Sequence, residues 1–228
     1  MRPTRILAFC AALLGTAAMA DDIVTMPTAN QLKAREFDAA IYYISLSMPA
    51  GAPQYVQYQT LYLGLTDRLE LDLHRAAVDN DAKSVVVVGQ YKLLSEGPDT
   101  PDLVVGVRNL TGVATTNSPL RSYSRERSIY VATAKTWFVR KGVQGPPLIR
   151  LHTGIGSRDY SLMNEPRHEG AFGGIQCLIT PTVGAVVQHD GQDWITGLTY
   201  MPPKSGITLK FGTYGDHSWY GAAYRMAL

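Results

Sequence analysis

The 228 residues are 46% hydrophobic and only 18% charged, and 21 Lys plus Arg nearly balance 19 Asp plus Glu. That balance argues against nucleic-acid binding, and the apolar and aromatic content argues against disorder. After residue 20 the longest purely aliphatic run is Val85 to Val88, far short of the roughly 20 apolar residues of a spanning helix, so a soluble domain or a membrane β-barrel remains.

The chain opens with Arg2 and Arg5 ahead of an apolar stretch from Ile6 to Leu14, then small residues ending in Ala18-Met19-Ala20. This is the pattern of a secretory signal peptide over residues 1–20, with the mature chain expected to begin at Asp21. Its removal leaves 19 basic against 19 acidic side chains. Cys10 lies mid-way through the apolar stretch behind bulky Phe9, so it does not read as a lipoprotein site. Cys177 is then the one mature cysteine, which excludes an internal disulfide framework. Residues 21–35 read as a periplasmic N-terminal lead and 36–228 as the folded body.

From there segments of about ten residues alternate with a period of two, separated by Gly, Pro, Asp and Asn clusters, with no sustained 3.6-residue pattern. In Leu69 to His74, three leucines share one face while Glu70, Asp72 and His74 share the other. Thr66-Asp67-Arg68 suits a hairpin turn to the preceding segment. Strands are expected near 37–47, 55–65, 69–76, 83–94, 102–110, 127–138, 147–156, 171–180, 182–190, 193–200, 206–214 and 218–228. Even-numbered connections tend to be short, whereas Thr111 to Glu126 and Ser157 to Gly170 are long. That is the loop asymmetry of an antiparallel transmembrane up-and-down β-barrel with both termini in the periplasm.

A soluble sandwich also alternates, so two further signals decide. Alternation continues to the last residue, with Tyr220, Ala222, Tyr224, Met226 and Leu228 on one face and Trp219, Gly221, Ala223, Arg225 and Ala227 on the other. In addition, Tyr42, Tyr43, Trp137, Phe138, Trp194, Tyr200, Tyr214, Trp219 and Tyr220 mostly fall near strand ends, where amphipathic rings form interfacial girdles.

The segments MPTANQLKAREFDAAIYYI, YLGLTDRLELDL, VVVGQYKLLSEGPDTPDLVVGVRNLTG, LIRLHTGIG and GAFGGIQCLITPTVGAVVQHDGQDWITGLTYMPPKSGITLKFG resemble those of bacterial outer-membrane barrels. The nearest likeness is to YjbH-type barrels associated with exopolysaccharide secretion, in which a Glu-Tyr-Asp-Gly-like turn precedes a Gly-Leu strand. Here that turn reads Gln188-His189-Asp190-Gly191. The resemblance implies an outer-membrane location, outer-membrane lipid and the barrel-assembly machinery as partners, and a structural, non-enzymatic role. Outer-membrane barrels commonly end in a terminal Phe, where this sequence has Leu228.

Under the barrel reading Glu70, Asp72, His74, Lys92, Arg108, Lys135, Arg150, His152, Gln176, Lys210 and Arg225 face the lumen. Charges of both signs converge there, either as a network of ion pairs joining strands or as a polar constriction passing small anionic or sugar solutes, or polysaccharide. No cofactor or metal is expected. Asp216-His217-Ser218 has the residue types of a nucleophile and its base, but adjacent strand residues face opposite ways. His189 to Asp193 lacks the ligand count of a calcium loop and reads as a turn. His74 and His152 lack a third metal ligand, and Asn109-Leu110-Thr111 fits a glycosylation acceptor. The rival readings are a secreted β-sandwich that binds glycans and a barrel enzyme acting on lipid.

Overall fold

The computed structural model describes residues 26–46, 55–79, 82–111, 127–138, 148–158 and 168–227. The expected signal peptide, most of the connection from Thr111 to Glu126, and Leu228 lie outside the described residues. The strands are β1 (Glu36–Ser45), β2 (Tyr55–Gly64), β3 (Leu69–Val78), β4 (Ala82–Leu94), β5 (Asp102–Arg108), β6 (Ser128–Phe138), β7 (Leu148–Arg158), β8 (His168–Thr180), β9 (Val183–His189), β10 (Trp194–Tyr200), β11 (Ile207–Tyr214) and β12 (His217–Ala227).

Each strand pairs antiparallel with its sequence neighbours, and β1 pairs with β12 from Glu36↔Ala227 to Ile44↔Trp219, closing a twelve-stranded up-and-down barrel. Closure removes both sheet edges and so satisfies the backbone groups that an open sheet would leave bare. Strand β8 begins at His168, inside the stretch read as a loop, because pairing with β7 continues through Arg158↔His168. Backbone pairing there runs past the clear apolar alternation from which the strand limits were read.

The termini and the even-numbered connections share one end, called here the terminal end. The turn after β2 is held by Leu65 N and Thr66 N donating to Leu69 O and by Thr66 Oγ1 accepting from Arg68 N and Leu69 N. Each strand divides its residues between two surfaces. Outward aliphatics such as Leu73, Ile129, Val131, Ile155, Ile175 and Leu209 are exposed, while their chain neighbours on the inward face are buried. Tyr91, Trp137, Tyr200 and Tyr224 form an outward aromatic band near the terminal end; Tyr43, Tyr55, Trp194 and Tyr220 form another near the opposite end.

Three aromatics expected in those bands, Tyr42, Tyr214 and Trp219, are instead buried inside the barrel. Their parity places them inward, and glycines on the facing wall make room for two of them. Tyr42 lies opposite Gly221, Trp219 packs on Gly197, and cross-strand pairing sets Tyr130 against Gly106 and Phe172 against Gly154. A Cβ at Gly106, Gly154 or Gly221 would enter the ring of its partner. The Trp219 indole lies flat enough on this wall for Nε1 to reach Thr196 O and Thr213 O, each at 3.1 Å. Each ring contributes on the order of 150–250 Å² of buried surface, so the lumen has a packed aromatic core.

Candidate functional site

The polar residues of the lumen are a product of strand parity. Glu70, Asp72 and His74 occupy alternate positions of β3 and point inward, while Leu69, Leu71 and Leu73 point out. Arg108, Arg150, His152 and Lys210 are likewise buried, and Lys92 and Arg225 are half-buried at the terminal end. Gln176 is buried on the same face.

Lys135 departs from expectation. Its cross-strand partner is Leu151, whereas inward Arg150 is opposite Thr136, so Lys135 lies on the outward face. Its ammonium donates to the carbonyls of Pro98 (2.8 Å), Gly97 and Thr100, and lies 3.9 Å from Glu96. It ties down the turn between β4 and β5, and parity is the reason it cannot reach the lumen.

The inward residues fall into separate groups. At the terminal end Arg150 reaches Glu96 Oε2 and Asp102 Oδ2, both at 2.8 Å, and Lys92 lies 3.7 Å from Asp102. Thr136 donates to Glu96 through its amide and hydroxyl at 2.6 and 2.9 Å, so both carboxylate oxygens of Glu96 are engaged. Across the barrel Arg225 pairs with Asp38 at 3.2 Å. Further in, Lys210 donates to Tyr42 Oη at 2.8 Å with its charge 5.3 Å from that ring. His152 meets Gln188 at 3.3 Å. These are ion pairs and hydrogen bonds of the kind that buried charge requires.

The largest group gathers around residues 26–35. Expected as a lead, this segment enters the barrel: Met26, Ala29 and Leu32 are buried in its interior, while Lys33, Ala34 and Arg35 are exposed at its mouth. Leu32 N donates to Glu70 Oε2 at 2.5 Å, while Gln90 Nε2 donates to Glu70 Oε1. Gln31 Nε2 reaches Arg68 O and Gln90 O, each at 3.0 Å, and Arg35 N donates to Gly64 O at 2.9 Å. Gly64 is required here, since any side chain would strike the Lys33 carbonyl. Tyr130 donates to Gln90 Oε1 at 3.2 Å, and the hydroxyl of Tyr58 lies 2.8 Å from His74 Nδ1.

Between this segment and the wall, a cavity of about 20 Å³ is lined by Thr28, Tyr62, Asp72, His74, Arg108 and Tyr130, among others. At roughly 10–15 Å³ for each water, it has room for one or two waters. Among the described residues no cluster of three metal-ligating side chains forms. His74 on β3 and His152 on β7 are held by Tyr58 and Gln188, four strands apart, and are not brought together.

The remaining candidates have structural explanations. Asp190 Oδ1 accepts from the amides of Gln192 (2.9 Å) and Asp193 (2.8 Å), and Oδ2 from Tyr214 Oη (2.5 Å), so the 189–193 stretch is the β9–β10 turn with its carboxylate engaged. His217 is paired with Tyr214 and Ser218 with Thr213, which puts His217 and Ser218 on opposite faces. Asn109 is buried with φ 57° and accepts from Thr111 Oγ1 at 3.2 Å, ending β5. The sequence reading missed Asp38, Gln90, Asp102 and Gln188, all of which parity would have found. It also missed Glu96, which lies in a turn where parity gives no signal.

Solved structures similar to this chain include the outer membrane protein Omp33 of Acinetobacter baumannii, with a TM-score of 0.49 and 9% identity over 87% of this chain and 100% of that one. They also include the N-terminal β-barrel domain of OprF from Pseudomonas aeruginosa, with a TM-score of 0.27 and 9% identity over 86% of this chain and 100% of that one. No family model and no curated protein matches the chain. The barrel itself is established by its own strand pairing.

Proposed function

We propose that this chain is a bacterial outer-membrane barrel whose lumen is closed by its own residues, and that it acts as a non-enzymatic accessory of the envelope and not as an open diffusion pore. The outer wall supports the membrane part of this reading, because an apolar surface flanked by two aromatic bands matches a bilayer and its two interfaces. The observation that carries the closed lumen is the segment from Met26 to Leu32, with Met26, Ala29 and Leu32 buried in the barrel, Leu32 bonded to Glu70 and Gln31 to Gln90, and with further ties from Gln31 to Arg68 and from Arg35 to Gly64 at the terminal end. The cavity beside this segment, about 20 Å³, has room for one or two waters.

Within that role, service to exopolysaccharide export fits a partner of the export machinery better than its conduit, since a polymer needs a far wider path than this lumen offers. The YjbH-type likeness rests on the Gln188 to Gly191 turn. Glu70, Asp72, His74, Lys92, Arg108, Arg150, His152, Lys210 and Arg225 serve in this reading as ties between strands and plug, not as a solute filter. Planar-bilayer recording tests it: the full-length barrel is expected to give no conductance steps, and a variant lacking residues 26–34 is expected to give small ones. Porin-sized steps from the intact protein would refute the closed lumen.

A further inference from the structure

The outward wall is largely apolar, and it carries a hydrogen-bonded polar row on β1 to β3. Tyr43, Gln57, Gln59 and Arg75 have outward parity, each flanked in sequence by buried inward residues. They are joined in a row: Gln57 Nε2 donates to Tyr43 Oη at 2.9 Å, and Arg75 Nη1 donates to Gln59 Oε1 at 2.8 Å and to Gln57 Oε1 at 3.3 Å.

Arg75 stands directly opposite Gln59, while Gln57 is opposite Ala77, two residues further toward the end away from the termini. The guanidinium therefore leans toward that end, as a cationic side chain does when it reaches from an apolar wall to an interface. The row finishes in the aromatic band, where Tyr43 packs 5.5 Å from Tyr220 and 5.9 Å from Tyr55.

Among the strand residues whose side chains are described, Arg75 and Lys135 are the charged ones with outward parity. Lys135 is saturated by turn carbonyls and Glu96. Arg75 has no carboxylate at ion-pair distance among the described residues. With Nη1 fixed by two amide oxygens, its Nε and Nη2 hydrogens remain as the edge that binds a phosphate through two parallel hydrogen bonds. A cation held in a lipid-facing wall without a protein anion calls for an anion from the lipid.

We propose that Arg75, positioned by Gln57, Gln59 and Tyr43, binds the phosphate headgroup of an anionic lipid in the leaflet at the end away from the termini. The site rests on the membrane reading given above. The test is electron spin resonance on the full chain reconstituted in phosphatidylcholine vesicles, with trace spin-labelled phosphatidic acid or spin-labelled phosphatidylcholine as the probe. The wild type is expected to hold phosphatidic acid about fivefold more strongly than phosphatidylcholine. Arg75→Gln brings that ratio close to one, Arg75→Lys keeps part of it, and Lys135→Gln leaves it unchanged.

Equal retention of both probes by the wild type, or selectivity that survives in Arg75→Gln, overturns the proposal. So does a wild-type dimer in analytical ultracentrifugation that Arg75→Gln dissociates, because the row would then be a contact between copies. Failure of the membrane reading looks different: neither probe shows a motionally restricted component. Arg75→Lys keeps the test informative if Arg75→Gln does not fold.

Discussion

Neighbouring residues of one strand obey opposite rules. In β3, Leu73 is 45% exposed on the outer wall, while Asp72 and His74 beside it are each 4% exposed in the lumen. Outside, under the membrane reading proposed above, any apolar side chain of suitable size serves, since lipid makes no directional demands. Inside, charged groups are held by ion pairs and hydrogen bonds, and Tyr42, Tyr130 and Phe172 each pack against a glycine across the strand. The outer wall is thus tolerant of shape and intolerant of charge, and the lumen is the reverse.

Removing one partner from the lumen should have the largest effect. Arg150→Ala strands the carboxylates of Glu96 and Asp102 and is expected to cost about 3–5 kcal/mol in urea-induced unfolding. A loss below about 1 kcal/mol would show that water solvates this end freely. Next is a charge on the outer wall. Leu73→Arg, near the middle of β3, is expected to cost about 2–4 kcal/mol, and Ser45→Arg, outward at the end of β1, about 0–1 kcal/mol. Equal costs at the two positions would contradict a lipid-facing wall.

Overpacking comes third. Gly106→Ala pushes a methyl group into the Tyr130 ring and is expected to cost about 1–3 kcal/mol. Combined with Tyr130→Ala the cost should fall well short of the sum, because the clash disappears with the ring.

The smallest effect is pH dependence in the β9–β10 turn, beyond the strand ends. Burial raises the Asp190 carboxyl above its ordinary range, against the lowering influence of its hydrogen bonds from Asp193, Tyr214 and Gln192. A raised value in the folded state means the fold holds the proton more tightly than the unfolded chain does. Its contribution to stability is complete below the unfolded value of about 3.9 and is lost as pH rises through the folded value. The stability advantage of the wild type over Asp190→Asn in thermal unfolding should therefore narrow as pH rises. An advantage that widens reverses the sign of the account.

How far each region was legible follows from the same contrast. Most strand limits and lumen residues such as Glu70, Asp72, Arg108 and Arg150 follow from a period of two along the strands. Parity also carried enough information to place Lys135 outward and Trp219 inward, but proximity to a strand end was the wrong guide for Tyr42, Tyr214 and Trp219. Whether a glycine makes room for an inward ring, as Gly221 does for Tyr42, is a matter of register between distant residues. The segment from Met26 to Arg35 has no strand or helix period. Its only trace is the three-residue spacing of Met26, Ala29 and Leu32, which are buried by the barrel and not by one another. Glu96 was invisible for a related reason, since its role is set by where the β4–β5 turn folds against Thr136 and Arg150.

The most direct test of the two-surface account is membrane fractionation of the expressed chain followed by gel mobility with and without heating. A closed barrel with a lipid-facing wall is expected in the outer-membrane fraction, migrating faster unheated than heated. Recovery in the soluble fraction, with identical mobility in both samples, would contradict it.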